Sequence, residues 1–206
     1  MTGASDIKRD RRDLYAPRAG RFHVVDVPEL PFLMVDGTGD PNTSAAYADA
    51  LAALYSVSYA VKFASRQHLG RDYVVGPLEG LWSADDPATF VTRAKDEWDW
   101  TMMITQPEWI APDLVDDAIR RVATKKDLRA LPRLRFATYP EGLAAQALHI
   151  GSFDDEGPLL HRLHHEFMPD NGLAFNGRHH EVYLSDPRRT EPGKLRTILR
   201  QPVARL

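Results

Sequence analysis

Apolar and polar residues alternate in some stretches and cluster in others, and the pattern divides the chain into strands and helices. Residues 22–27 (FHVVDV) and 31–36 (PFLMVD) are rich in β-branched and apolar side chains, separated by Pro28 and Pro31 and closed by Gly37, Gly39 and Pro41. Two strands are expected there. Between residues 43 and 69 there is no glycine or proline, and Tyr47, Leu51, Leu54, Tyr55 and Val61 recur at helical spacing. This predicts one long helix, capped by Asn42 or Thr43 and ended by Gly70. Strand chemistry returns over residues 73–84, interrupted by Gly76-Pro77, and again, after a short helical stretch, over residues 98–105 (WDWTMMIT).

The order strand, helix, strand, strand then repeats. Residues 112–126 read as a connecting helix with Asp113, Asp116 and Asp117 early and Arg120, Arg121, Lys125 and Lys126 late, matching the helix dipole. LPRLR (131–135) reads as a linker into a second half, with a strand at 143–150, a helix at 156–167, and strands at 173–175 and 179–185. The element order implies an α+β fold. It consists of two pseudo-symmetric strand-helix-strand-strand modules, about 21–110 and about 134–206, with antiparallel sheets and helices on one face. The other faces are expected to be free and to form a ligand cleft between the modules. Residues 1–20 mix Lys8, Arg9, Arg11 and Arg12 with Asp6, Asp10 and Asp13, and read as a solvated polar arm or short helix.

Composition narrows the function classes. The 206 residues are 43% hydrophobic and 27% charged, ordinary for a globular domain. A formal net charge of -3 offers no general field for nucleic acid, so none is expected to bind directly. There is no cysteine, which removes disulfide and thiolate chemistry. The opening MTGASDIKRDRRDLY contains neither a secretory signal nor a membrane span, so a cytoplasmic protein without a membrane partner is expected.

Alternation places the candidate chemistry. On residues 179–185, His179, Glu181, Tyr183 and Ser185 share one face, and His180, Val182 and Leu184 the other. Val182 and Leu184 suit the core, so Glu181 and Tyr183 point away from it, either into solvent or into a site. Trp100 and Met102 share a face of the 98–105 strand, and Trp82 follows Gly80 by two residues, leaving room for a flat ligand beside the indole. A carboxylate among aromatic rings suits planar, lipophilic or cationic molecules, and can also serve as general base or acid. Six of the eight histidines fall between His149 and His180, with His161 and His165 at i, i+4. Without HExxH or cysteine this is a weak zinc signature, and no metal or cofactor is expected. Gly37-Thr38-Gly39-Asp40 reads as a turn rather than a phosphate loop.

Several phrases together, FLMVDGTGDPN, SVSYAVKFASRQHLGRDYVVGPLEGLW, WDWTMMITQPEWI and NGRHHEVYLSDPRRTEPGKLRTILRQPV, resemble the stand-alone GyrI-like small-molecule-binding proteins over almost the whole chain. The resemblance implies two pseudo-symmetric modules around a ligand cleft and binding of bulky aromatic or cationic compounds. It implies two further readings. One is a drug sensor or sequestering protein; the other is a cofactor-independent hydrolase that opens the cyclopropane of DNA-alkylating natural products. In the latter, Glu181 would activate water, Tyr183 would donate to the dienone oxygen, and Trp82 and Trp100, with Met102 and His179 nearby, would line the ligand. Asp186, Arg188 and Arg189 are expected to form a salt-bridged turn.

Overall fold

The computed structural model describes residues 4–86, 89 and 92–206. Among these residues nine strands form one antiparallel array: β1 (Phe22–Val27), β2 (Leu30–Thr38), β3 (Leu78–Ser83), β4 (Asp99–Thr105), β5 (Arg135–Tyr139), β6 (Gly142–Ile150), β7 (Leu173–Phe175), β8 (His179–Tyr183) and β9 (Arg196–Arg205). Their spatial order is β1-β6-β9-β8-β3-β4-β2-β5, with short β7 hydrogen-bonded to β9. The duplication is visible in this order. Module one orders its strands β3-β4-β2, module two orders its own β8-β9-β6, and the two meet where β3 pairs with β8. The edge strands are exchanged: β1, which leads into module one, flanks β6, and β5, which leads into module two, flanks β2.

Two strands expected from the pattern are assigned differently. The last strand of module two is β9, not residues 179–185, whose strand β8 precedes it. β9 escaped notice because Arg196, Thr197, Arg200, Gln201 and Pro202 make it read as polar, yet seven of its ten residues are buried. β5 begins at the end of the expected linker. The expected short helical stretch between residues 84 and 98 falls partly outside the described residues.

Val27 and Leu30 are consecutive strand ends, yet β1 lies at one end of the sheet and β2 one strand in from the other. Three residue steps reach at most about 11 Å, so the sheet must roll until its ends meet. Its inner face therefore encloses a core instead of standing free: Phe32, Met34, Leu81, Met103, Ala144, Leu148, Val182 and Ile198 converge there. The N-terminal arm helps fill it. Helical turns α1 (Ile7–Asp10) and α2 (Arg12–Tyr15) are largely exposed, but Leu14 and Tyr15 are 0% and 2% exposed within this core. The arm is a plug, not a solvated tail.

The helices occupy the outer face. α3 (Ala45–Ala64) starts at Ser44, whose side chain accepts from the Tyr47 amide, one residue beyond the expected caps. It buries Ala50, Ala53, Leu54, Val57 and Val61 against β2 and β4, the i, i+3, i+4, i+7 stripe of an amphipathic helix. Each large apolar side chain so buried contributes about 1.5–3 kcal/mol. A π-helical turn (Ser65–Leu69) follows, and Gly70, at φ +64°, ends it as expected. α4 (Pro112–Ala123) packs on α3. In module two, α5 (Gly157–Arg162), a π-helical turn (Leu163–Phe167) and α6 (Met168–Asp170) cover the sheet through Leu163 and Met168. Among the described residues no helix is long and apolar enough to cross a membrane.

Candidate functional site

The central pair β3 and β8 carries the candidate residues on the helix-covered face. Glu181 stands directly across from Gly80, and His179 across from Trp82. Tyr183 Oη donates to Glu181 Oε2 at 2.7 Å and accepts from Trp82 Nε1 at 3.0 Å. A chain of bonds thus runs from indole to phenol to carboxylate. Burial, followed by the charge of Glu181, pushes the Tyr183 hydroxyl well above its ordinary value, so it remains a donor. His179 Nε2 lies 3.4 Å from Glu181 Oε1 without hydrogen-bond geometry.

The room expected above Gly80 is taken. A Cβ there would meet Trp82 Nε1 at 3.0 Å and Met102 Sδ and Tyr183 Oη at 3.2 Å, so a side chain at this position would press on the Trp82–Tyr183 pair by a few tenths of an ångström. Trp82 itself is 5% exposed, stacked on Tyr47 and edge-on to Trp98. Trp100 and Met102 lie in the core of module one. The Trp100 ring covers Gly37, where a Cβ would sit 2.2 Å from it, and its Nε1 donates to Gly39 O at 3.2 Å. The surface of the site is therefore Glu181, Tyr183, His179 and the edge of Trp82, with Trp100 and Met102 as its backing.

A second carboxyl joins it. Glu156, immediately before α5, is 6% exposed, and its Oε1 makes no hydrogen bond among the described residues. Burial, then the charge of Glu181, pushes Glu156 up to about 10; Thr197 and Arg93 work against the shift. Nothing in its spacing singles Glu156 out, since it is the last of three acids before Gly157-Pro158. His164, buried beside His179, is pushed down to about 4 by burial and then by His179. Above the site, Phe153 stands edge-on to Tyr183 at 5.7 Å, and Arg93 ion-pairs with Asp154. Beneath these residues His179 and Glu181 keep side-chain exposures of 16% and 15%. A surface groove of about 180 Å³ lies elsewhere, near Ala64, Leu114 and Arg121.

The inner face of the same strands holds another polar group. His180, 1% exposed, places Nδ1 2.8 Å from Glu141 Oε1 and Nε2 3.0 Å from Glu79 Oε2. Both ring nitrogens face carboxylates, which calls for the doubly protonated ring. Accordingly, although burial opposes the charge, Glu141 and Glu79 hold His180 above its ordinary value. Burial likewise opposes charge on Glu141, but His180 and Arg200 hold it down to about 2. Arg200 bonds Glu141, Gln146 and Leu14 O, and Tyr15 Oη bonds Glu79 at 2.9 Å. Two carboxylates, one guanidinium and one imidazolium sum to no net charge, and they tie the N-terminal plug to β3, β8 and β9.

The His161 and His165 rings lie 4.7 Å apart between centres, tilted by 44°, on the exposed side of α5 and its π turn. Among the described residues no group of three or more histidine or acidic side chains is arranged to hold a metal. Asp186 accepts from the Arg188 amide and guanidinium and pairs with Arg189, the turn expected from the sequence.

A rolled sheet of two exchanged modules, with a carboxylate fixed by tyrosine and tryptophan at their junction, defines a two-module ligand-binding domain. The profile of the GyrI-like small molecule binding domain matches residues 21–204, and the chain belongs to that family. It is similar to an uncharacterized conserved protein from Listeria innocua, with 35% identity, TM-score 0.88, and coverage of 97% of this chain and 100% of that one. It is also similar to a hydrolase from Listeria innocua, with 34% identity, TM-score 0.88, and coverage of 98% and 100%. The C-terminal domain of EcmrR shares the fold at 12% identity, TM-score 0.56, covering 90% of this chain and 98% of that one. No curated protein sequence matches it.

Proposed function

We propose that the protein binds a bulky planar compound, lipophilic or cationic, at Glu181, Tyr183, His179 and Trp82, and hydrolyses it. Cyclopropane-bearing DNA-alkylating natural products are the substrate class. The observation that carries this reading is the bonded chain Trp82–Tyr183–Glu181, which holds a partly buried carboxylate in one orientation and leaves Oε1 for a water or ligand. A relative 34% identical over nearly the full length is described as a hydrolase, which supports turnover.

In the reaction, water attacks a ring carbon of the cyclopropane while Glu181 takes its proton. The strained carbon–carbon bond breaks, and its electrons pass through the conjugated dienone to the carbonyl oxygen, which becomes a phenol on gaining a proton. The sum is addition of one water. The Tyr183 hydroxyl already donates its hydrogen bond to Glu181, so Tyr183 acts by orienting the base. A second reading, a non-catalytic drug sensor or sequestering protein, is favoured by the aromatic surroundings, with Trp82 packed on Tyr47 and Trp98.

Incubation with a cyclopropane-bearing alkylator, followed by mass spectrometry, separates the two. Turnover predicts a product heavier by one water, formed at least about 100-fold more slowly by Glu181→Gln. Quenching of tryptophan fluorescence without product would leave binding alone; neither signal would overturn both readings.

A further inference from the structure

We infer that Glu156 is the second half of this ligand site, and that a positively charged ligand enters it in exchange for a proton. The inference rests on the ligand site proposed above, though not on its turnover.

Thr197 and Arg93 favour the charged form of Glu156, and together they do not offset its burial. Glu156 precedes α5 yet its side chain caps nothing, and Oε1 is buried with no hydrogen bond among the described residues. A buried carboxyl oxygen left so costs stability, which a purely structural position would have relieved with a partner. Thr197, which acts on Glu156, is the register partner of Tyr183 across β8 and β9. That places Glu156 on the same face as Glu181.

The charged groups around the pair favour one proton between two carboxyls. Glu181 and Asp154 oppose charge on Glu156, and the cation that favours it, Arg93, is held by Asp154 through its ion pair and a bond to Asp154 O at 3.2 Å. From β8, His179 approaches Glu181, and Tyr183 donates to it. From α3, Tyr47 faces the charge of Glu181. From the π turn, His164 remains neutral above about pH 4. Two carboxyls in a dry site do not both ionise unless a cation joins them, and the raised value of Glu156 expresses the same balance. A ligand cation among these groups supplies the missing charge and expels the proton. By linkage, raising the pH must then tighten cation binding, and a neutral ligand of similar shape gains nothing.

The test titrates the full chain with rhodamine 6G, a planar monocation, and with Nile red, a planar neutral dye, from pH 6.5 to 8.5. Fluorescence anisotropy reads affinity, and an indicator dye in weak buffer reads proton release. Rhodamine affinity should rise up to about tenfold per pH unit with close to one proton released per dye bound. Nile red affinity should stay flat. Glu156→Gln, its folding checked by circular dichroism and a thermal melt, should lose both the slope and the proton release. Rhodamine binding that is independent of pH, or a slope unchanged in Glu156→Gln, would overturn the exchange while leaving the ligand site standing. If neither dye binds the wild-type protein, the ligand-site reading fails and this inference with it.

Discussion

Alternate side chains of β8 enter two interiors that treat polar groups in opposite ways. On the inner side His180 is saturated: each ring nitrogen has a carboxylate, each carboxylate has a cation, and Tyr15 and Gln146 take up what remains. On the outer side, Glu156 is 6% exposed and the His179 side chain 16%, and among the described residues both leave buried polar atoms without hydrogen bonds. Satisfied networks rigidify a fold, whereas enclosed and unsatisfied groups cost stability and are retained for what they meet. One strand thus supplies both a clamp for the fold and a surface for chemistry, one residue apart.

The largest effect that would test this contrast is on the clamp. His180→Ala leaves Glu79 and Glu141 buried without their shared cation, and should cost about 3–5 kcal/mol in urea unfolding; a loss below about 1 kcal/mol would dissolve the distinction. Its pH dependence has two signs. Glu141, held down to about 2, contributes stability present above its ordinary 4.5 and lost as pH falls towards 2. His180, held up, contributes stability present below its ordinary 6.5 and lost as pH rises through its folded value. The clamp is therefore at full strength between these two ordinary values.

Glu156→Gln should act in the opposite direction. The folded protein keeps the Glu156 proton up to about 10 while the unfolded chain releases it near 4.5, so the native state loses ground as pH rises between them. Glutamine removes that loss. The variant should gain on the order of 2–3 kcal/mol relative to wild type between pH 4.5 and pH 7, and equal destabilisation at both would contradict the picture. The smallest effect sharpens the comparison from outside. Arg188, 81% exposed at its side chain in the turn with Asp186, should change stability by less than about 0.5 kcal/mol on Arg188→Ala, visible as a melting shift below about 2 °C.

The sequence pattern carried the helices, most strands and the duplicated order, because those segments keep one face apolar. It failed where burial is double-sided. β9 has neighbours on both faces and hides Arg200 by pairing it, so its composition resembles a loop. The face of Glu181 and Tyr183 followed from period-two alternation against Val182, and Trp82 from its step after Gly80. Glu156 and the partners of His180 were not legible, since Glu79, Glu141 and Arg200 are brought together by the roll of the sheet and lie up to 121 positions apart in the chain. The free inner face was expected because a flat sheet has two sides; a closed roll has an inside.

The exchanged edge strands bear on how the chain acquires its shape. Phe22 pairs with Ala147 and Leu30 with Tyr139, so the first strand to leave the ribosome waits for one made more than a hundred residues later. Contacts of such long range slow folding, because the closing chain must lose its freedom before either module is complete. Neither half can be finished alone. Cutting the chain between α4 and β5 yields two pieces each lacking an edge, and activity should return only when the pieces are mixed.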